Sequence, residues 1–390
     1  MTDQQPRRGP HTGPHRPSAD EPAVDLVEAR KAEHLEVTAT RDVDARVGPG
    51  WPDVRLVHEA LPELDFDAVD LTTSFLGRPL RAPLMIAAMT GGHGSAREIN
   101  AVLARGAERH GLAMGVGSQR AGVANPRLAD TYAIAREQAP TAFLVANIGA
   151  PQLIAQESGH TLAVDDPRRA VAMIAADALA VHLNFLQESV QPEGDRRAQG
   201  CAAALRQVVA EVGVPVIAKE TGAGLARATA RRLRRLGVAA LDVGGVGGTS
   251  FAAIEGMRAE SQGQARGRQM GELLRDWGIP TAVSVVAAVG AGLPVIATGG
   301  IRSGLDAAKA LALGATLVGV ARPLLQAALE GDAAVDRWIE QLLQELRTVL
   351  FLTGSATVQQ LRQRPRVVVG ETRAWLDQLG YWTESPREVE

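Results

Sequence analysis

Cysteine is nearly missing from this chain: Cys201 is the only one in 390 residues. An intrachain disulfide is therefore impossible, and a cysteine-based zinc site or a paired-thiol redox centre is excluded. Cys201 lies in the Ala/Leu run Cys201–Leu205 and reads as a small buried residue of a helix. Aromatic side chains are also scarce, at 3%. Ala, Val and Leu must then supply most of the burial, and a hydrophobic content of 46% allows a substantial, closely packed core. No charge of one sign dominates: 41 basic side chains face 44 acidic ones, for a net charge of −3. That balance gives no electrostatic case for a nucleic-acid or membrane partner, while leaving room for a small anion held by local basic groups. No apolar run is long enough to span a bilayer. The first residues, with Arg7, Arg8 and repeated prolines up to Pro22, lack the apolar centre of a signal peptide, so a cytoplasmic location is expected.

Residues 1–24 are rich in Pro, Gly, Arg and His and read as a disordered tail, with His11 and His15 as solvated residues rather than metal ligands. Residues 25–390 read as one domain. A periodic pattern starts near Val24, and residues 51–80 read as short strands and turns punctuated by Pro52, Pro62 and Gly77. From Ala82 the chain alternates short apolar runs with helix-like stretches. The runs are Leu84–Ala88, Ala113–Val116, Phe143–Ala146, Leu179–Leu183, Val214–Ala218, Ala239–Val243, Val295–Thr298 and Thr316–Val320. Eight such units predict an α/β fold, a (β/α)8 TIM barrel with an N-terminal extension and C-terminal helices, its functional groups at the strand C-termini. A doubly wound open sheet is the alternative, but its early Gly-x-Gly-x-x-Gly turn is missing. The connection at about 244–280, with the Gln/Gly/Arg-rich stretch Glu260–Gly271, reads as a long loop serving as a lid over the barrel mouth. Ala333–Thr353 reads as a helix, and Val358–Asp377 as a further short helix and tail outside the barrel.

The strand ends carry the chemistry. Gly299-Gly300-Ile301-Arg302 follows the seventh run and Gly319-Val320-Ala321-Arg322-Pro323 the eighth. Glycines let backbone amides approach a phosphate closely, and two helix N-termini there would converge their dipoles on it. The other ends are polar: Ala88-Met89-Thr90, Gly117-Ser118-Gln119-Arg120, Asn147, Lys219-Glu220 and Gly247-Gly248-Thr249. Ser118 or Thr249 alone could be a helix cap. Together the set forms a collar suited to a flat heterocycle, with Lys219 offsetting charge on the ring, and flavin mononucleotide (FMN) is the expected ligand. The fourth run closes on His182-Leu183-Asn184-Phe185-Leu186-Gln187-Glu188. A lone histidine is commonly a satisfied core residue, but beside Asn184 and Gln187 at a strand end His182 reads as part of a site. Glu188 is a candidate ligand for Mg2+, which takes one or two carboxylates together with substrate phosphate oxygens. Its other reading is an exposed carboxylate at a helix start.

These motifs, together with Arg30-Lys31-Ala32-Glu33-His34 and Ala88-Met89-Thr90-Gly91-Gly92, resemble those of the type 2 isopentenyl-diphosphate isomerases, from about Asp25 to the C-terminal region. The resemblance implies conversion of isopentenyl diphosphate to dimethylallyl diphosphate with reduced FMN as the acid–base centre, Mg2+, and NAD(P)H as the reductant that primes the flavin. It implies that Arg30 and Lys31, otherwise an ordinary solvated pair, bind the diphosphate together with Ser118, Gln119 and Arg120. His182 and Asn184 are assigned to the same substrate, Gln187 to substrate contact and catalysis, and Glu188 to the metal. Ala88, Met89, Thr90, Ser118, Asn147, Lys219, Thr249, Gly300, Ile301, Arg302, Ala321 and Arg322 are assigned to the flavin. A homo-oligomer, tetramer or octamer, is expected. Gly244 departs from the family pattern, where a small hydroxyl residue is frequent. A flavin-dependent 2-hydroxy acid oxidase shares the expected barrel, but its base histidine and its arginine after the sixth strand are absent from Val243–Gly248. A nucleotide dehydrogenase would want a loop cysteine, whereas Cys201 falls on a predicted helix. A non-catalytic flavin or phosphate-binding barrel gives no reason for Arg30-Lys31 and Gln187-Glu188 to occur together.

Overall fold

The computed structural model describes residues 23–157 and 161–381, with side chains from Arg30 onward. The predicted tail therefore lies almost wholly outside the described residues, as do His11 and His15. The described chain opens with helix α1 (Ala23–Thr40). Strands β1 (Val54–Leu56), β2 (Thr73–Phe75) and β3 (Arg78–Leu80) follow, β2 and β3 forming an antiparallel hairpin. The barrel strands are β4 (Leu84–Ile86), β5 (Ala113–Gly115), β6 (Phe143–Gly149), β7 (Ala178–Leu183), β8 (Val216–Glu220), β9 (Ala240–Asp242), β10 (Val295–Thr298) and β11 (Leu317–Val320). Each falls on one of the predicted apolar runs. They pair in parallel in chain order, and β11 closes back onto β4.

These runs are apolar throughout because both faces of a parallel barrel strand are covered. One face packs on the surrounding helices. The other fills the cylinder with Met85, Ala113, Phe143, Val145, Ala178, Ala180, Ile217, Ala240, Ile296 and Leu317. Four of these ten are alanines and only one is aromatic, in keeping with the low aromatic content. The hairpin β2–β3 plugs the lower end with Phe75 and Leu80, and Phe75 meets the Phe143 ring edge-on at 5.6 Å between centroids. Alternate residues of a strand share a face. Two positions past the apolar layer, the inward side therefore turns polar, at Asn147, His182, Lys219, Asp242 and Thr298.

The predicted loop at 244–280 is corrected by the structure. Within it stand two helices, Phe251–Ser261 and Ala265–Leu273, packed on each other. Gly271, at the end of the stretch Glu260–Gly271, lies where the second helix meets Gly256 of the first. A Cβ on Gly271 would lie 2.4 Å from Gly256 Cα and 2.6 Å from the Ala252 carbonyl oxygen. Cys201 differs more mildly: it opens the helix Cys201–Glu211, is part-exposed rather than buried, and directs its thiol to the Ala150 carbonyl at 3.4 Å. The C-terminal helix Asp332–Leu352 packs against the helices Gly304–Ala312, Arg322–Glu330 and Ala96–His110. A last strand, β12 (Arg366–Val368), pairs antiparallel with β1 and ties the two ends of the fold together. Among the described residues, no helix is long and apolar enough to cross a membrane.

The helix crossing makes a prediction. Gly271→Ala should destabilise the protein by about 1–3 kcal/mol through overpacking, read as a lower midpoint in urea unfolding. Gly48→Ala, where an added Cβ meets nothing within 4 Å, should be neutral within ~0.5 kcal/mol. Equal stability of the two variants would refute the close-crossing account.

Candidate active site

A cavity of about 260 Å³ opens at the C-terminal ends of the barrel strands, the face where TIM barrels carry their sites. Residues of α1 form part of its wall, with Arg30, Lys31, His34, Leu35 and Thr38 facing in. Lys31 is the anchor of that helix. Its Nζ donates to the carbonyl oxygens of Gly91 (2.8 Å) and Ser118 (2.6 Å) and to the Tyr132 hydroxyl (2.6 Å). Burial, and then the charges of Arg30 and Arg120, bring the Lys31 ammonium down to about 7. Burial and the neighbouring Arg120 also lower the Arg30 guanidinium. Three basic side chains thus converge, and desolvation and repulsion penalise the charge on Arg30 and Lys31. Only part of that charge is offset: Arg120 meets Asp195 at 3.1 Å, while Arg30 lies 3.9 Å from Glu193. Such a cluster favours an anion between its members.

The segment His182–Glu188 at the end of β7 is hydrogen-bonded in two groups. His182 donates from Nδ1 to Asn147 Oδ1 at 2.8 Å, because the Asn147 amide nitrogen is already committed to the Val116 carbonyl. Burial, Lys219, Lys31 and Arg120 push the imidazole down to about 3, so it is neutral. Asn184 Nδ2 donates to Gln187 Oε1 (3.1 Å) and Glu188 Oε1 (3.0 Å). The second Glu188 oxygen accepts the Asp195 backbone N–H at 2.8 Å. Burial raises the Glu188 carboxyl above its ordinary value, against that backbone bond and with the nearby Asp195 charge. Asn184 lines the cavity and leaves its own Oδ1 buried without a partner. A cation shared by the two side chains would relieve both penalties. Among the described residues no group of three His, Cys, Asp or Glu side chains could hold a metal ion. An ion here would depend on ligand oxygens as well, as Mg2+ commonly does.

Gln187 donates its amide N–H to Glu255 Oε1 at 2.8 Å. Glu255 was not singled out by sequence reasoning. It is fully buried in the helix after β9, and also takes hydrogen bonds from His34 Nε2 (2.7 Å) and Arg258 Nη1 (2.5 Å). Burial opposes its ionisation, but His34, Arg258 and Gln187 outweigh burial and hold the carboxyl down at about 2. The pair Glu255/Arg258 has the i,i+3 spacing of a helix, a signal hidden while this segment was read as a loop. Gln152 was missed too; its amide bridges Asp195 (2.8 Å) and Glu188 (3.5 Å).

The residues assigned to the flavin share this cavity. Ala88, Met89, Thr90, Ser118, Asn147, Lys219, Thr249, Gly300, Ile301, Arg302, Ala321 and Arg322 all line the cavity. The end of β10 and the backbone of β11 leave no room for side chains. A Cβ on Gly300, in the turn after β10, would sit 2.5 Å from the Gly247 carbonyl oxygen, and one on Gly319 within β11 2.1 Å from Thr298 Oγ1. That hydroxyl is itself buried without a partner on the cavity wall. Bare amides and an unpaired hydroxyl at these strand ends fit a phosphate. Gly244, the departure from the family pattern, has φ +45°, and a Cβ there would lie 2.1 Å from the Glu220 carbonyl. The backbone path leaves no room for a hydroxyl residue.

The structure corrects some assignments. Gln119 is fully buried and does not line the cavity. Its amide nitrogen donates to the Ala170 carbonyl (2.8 Å) and its oxygen accepts the Asn147 N–H (2.9 Å), so it supports the end of β6 instead of meeting a substrate. Arg302 and Arg322 reach the cavity, but both guanidinium groups pair with Asp44, at 3.0 and 3.2 Å. Arg322 also donates to the carbonyls of Thr38 and Arg41, so these arginines hold the strap after α1 against the phosphate turns. Lys219 lies buried against Asp242 at 2.8 Å. Its sequence neighbour Glu220 serves the following turn, accepting the N–H groups of Gly222, Ala223 and Gly224, and burial pushes its carboxyl up to about 7.

Comparison with known proteins agrees with this geometry. The model of the FMN-dependent dehydrogenase family matches residues 34–147 and 184–368. An isopentenyl-diphosphate delta-isomerase of Methanoregula boonei is 51% identical over 352 residues, covering 90% of this chain and 96% of that protein. One from Methanothermobacter thermautotrophicus is 48% identical over 360 residues, covering 92% and 98%. Among solved structures, a mandelate oxidase mutant with a monooxide FMN adduct superposes with a TM-score of 0.57 at 20% identity, covering 89% of this chain and 99% of that one. At that identity the likeness speaks for the barrel alone. The fold, the glycine cradles and the full-length matches together show that the chain belongs to the FMN-dependent dehydrogenase family and, within it, to the type 2 isopentenyl-diphosphate delta-isomerases.

Proposed function

We propose that this protein converts isopentenyl diphosphate to dimethylallyl diphosphate, with reduced FMN in the collar at the strand ends and Mg2+ at Glu188. The observation that carries this reading is the convergence of Arg30, Lys31 and Arg120 on the cavity that the glycine cradles and Lys219 also line. The reaction adds a proton to the terminal methylene carbon of the substrate. It removes another from the methylene between the branched carbon and the carbon that bears oxygen, with no net redox change.

Bound reduced FMN would supply the acid–base chemistry, a division of labour common in cofactor enzymes. The chain's own residues account for the rest. Arg30, Lys31 and Arg120 hold the diphosphate, which relieves their mutual repulsion. Glu188, with the unpartnered Asn184 oxygen beside it, would hold a magnesium ion, which would supply positive charge for the diphosphate. Gln187 is held at both ends, its nitrogen on Glu255 and its oxygen on Asn184, so its amide is pre-oriented toward substrate. Ionised Glu255 behind it favours positive charge developing on the hydrocarbon, the electrostatic preorganisation that such a step needs. NAD(P)H is the proposed reductant, the cytoplasm the proposed location, and a tetramer or octamer the proposed assembly. The oxidase chemistry of the structural neighbours lacks its base here, since the turn after β9 carries neither histidine nor arginine.

Three outcomes test the reading. Anaerobic incubation with isopentenyl diphosphate, Mg2+ and photoreduced FMN should yield dimethylallyl diphosphate; no product would sink the proposal, and oxidation of a 2-hydroxy acid would favour the oxidase. Gln187→Ala should lower kcat by about 100-fold while FMN affinity, followed by fluorescence quenching, stays within about threefold. Glu188→Gln should raise the Mg2+ concentration for half-maximal rate by about tenfold or more.

The Lys31 environment gives a pH signature. With its value in the free protein near 7, Lys31 loses its charge as pH rises through neutrality, so KM for the diphosphate should rise between pH 7 and 9. Lys31→Arg keeps the charge over that range and should flatten the rise. A KM slope unchanged in the arginine variant would refute the role of Lys31.

A further inference from the structure

Asp242 stands outside everything assigned above. It is the last residue of β9, buried, and does not line the cavity. In the barrel register it pairs directly with Lys219 of β8. Its Oδ2 accepts from Lys219 Nζ at 2.8 Å, and its Oδ1 is buried with no partner. The residue two positions earlier, Ala240, belongs to the apolar filling of the barrel. The carboxylate thus sits directly on that apolar layer, where a charge is costly and its field is weakly screened. A residue needed only to fill this space would be apolar, like its neighbours below.

We propose that Asp242 is a positioning residue for the flavin. It fixes the Lys219 ammonium at the cavity wall and cancels much of that charge, and so sets how strongly the protein favours the reduced, anionic flavin. The inference rests on the flavin assignment made above. An unpaired Lys219 would present a full positive charge to the ring, and reduction would become easier. With Asp242 behind it, the ring meets a nearly neutral pair. The low potential that results keeps the reduced cofactor basic enough to take part in proton transfer.

The test compares FMN-loaded wild type with Asp242→Asn, Lys219→Gln and the double variant by anaerobic redox titration against a reference dye. Asp242→Asn should raise the ratio of reduced to oxidised flavin at a fixed potential about tenfold, which is about 30 mV for a two-electron couple. The double variant should return to within about threefold of wild type. If Asp242→Asn does not fold, as circular dichroism would show, Lys219→Gln and the double variant still isolate the carboxylate. The double variant should then hold the larger reduced fraction, by about tenfold. Bound FMN with an unchanged ratio in folded Asp242→Asn, or equal ratios in that second pair, would overturn the proposal. Failure of the wild-type chain to bind FMN would overturn the flavin assignment instead, and this inference with it.

Discussion

Closing eight parallel strands into a cylinder imposes one constraint on which the rest depends: every second residue of every strand must share a narrow interior. The lower part of that interior is filled by four alanines and six larger apolar groups, stopped from beneath by Phe75 and Leu80. Above them the same alternation brings Asn147, His182, Lys219, Asp242 and Thr298 to the inner face near the strand ends. A polar side chain at that height cannot turn away to solvent without breaking the strand. It must find a partner inside or face the cavity. The pairs His182–Asn147 and Lys219–Asp242 are the first solution, and the unpaired Thr298 hydroxyl on the cavity wall is the second.

The mouth of the cylinder is governed by the opposite imbalance. Arg30, Lys31 and Arg120 concentrate positive charge, while much of the nearby negative charge is already spoken for. Glu255 is committed to His34, Arg258 and Gln187, and Asp195 to Arg120 and Gln152. Lys31 is held by neutral oxygens, which fix its position without neutralising it. An arrangement of this kind favours an anion from outside the chain, as the proposed diphosphate would be. Holding α1 in place by Lys31 and by the Asp44 bridge to Arg302 and Arg322 makes the basic residues of α1 and the turns after β10 and β11 parts of one packed unit.

Much of this could be read from the chain, and the parts that could not share a physical origin. Buried strands announce themselves as apolar runs bounded by glycine, so the eight strands and the polar residues at their ends were legible. Side-chain direction inside a turn was not. Gln119 sits between Ser118 and Arg120, yet the turn sends it inward to the Asn147 backbone while its neighbours face the cavity. Nor was helix packing legible in a polar segment: the glycines at 256 and 271 look like flexibility and are in fact a close crossing. Glu255 disappeared with that misreading, since a single carboxylate in an assumed loop has no reason to be buried. Arg302 and Arg322 were placed correctly at the cavity, but their bonds to Asp44 join residues more than 250 positions apart, and no local pattern encodes them.

The likeness to mandelate oxidases sharpens the same point about where chemistry resides. A shared barrel fixes the order of the strands and the face on which their C-terminal ends open. It fixes neither the segment after β9 nor the cover of the mouth. In this chain the turn after β9 has four glycines in the six residues from Gly244 to Thr249, with no base to take a proton from a hydroxy acid. The helix beyond it contributes an ionised glutamate behind a neutral amide. The covering helix supplies two cations where a small carboxylate substrate would need one. These local features bring two cations and a buried, ionised glutamate to one cavity, and the proposed function rests on that combination. The barrel is common property, and what is particular to this chain lies in α1 and in the segment after β9.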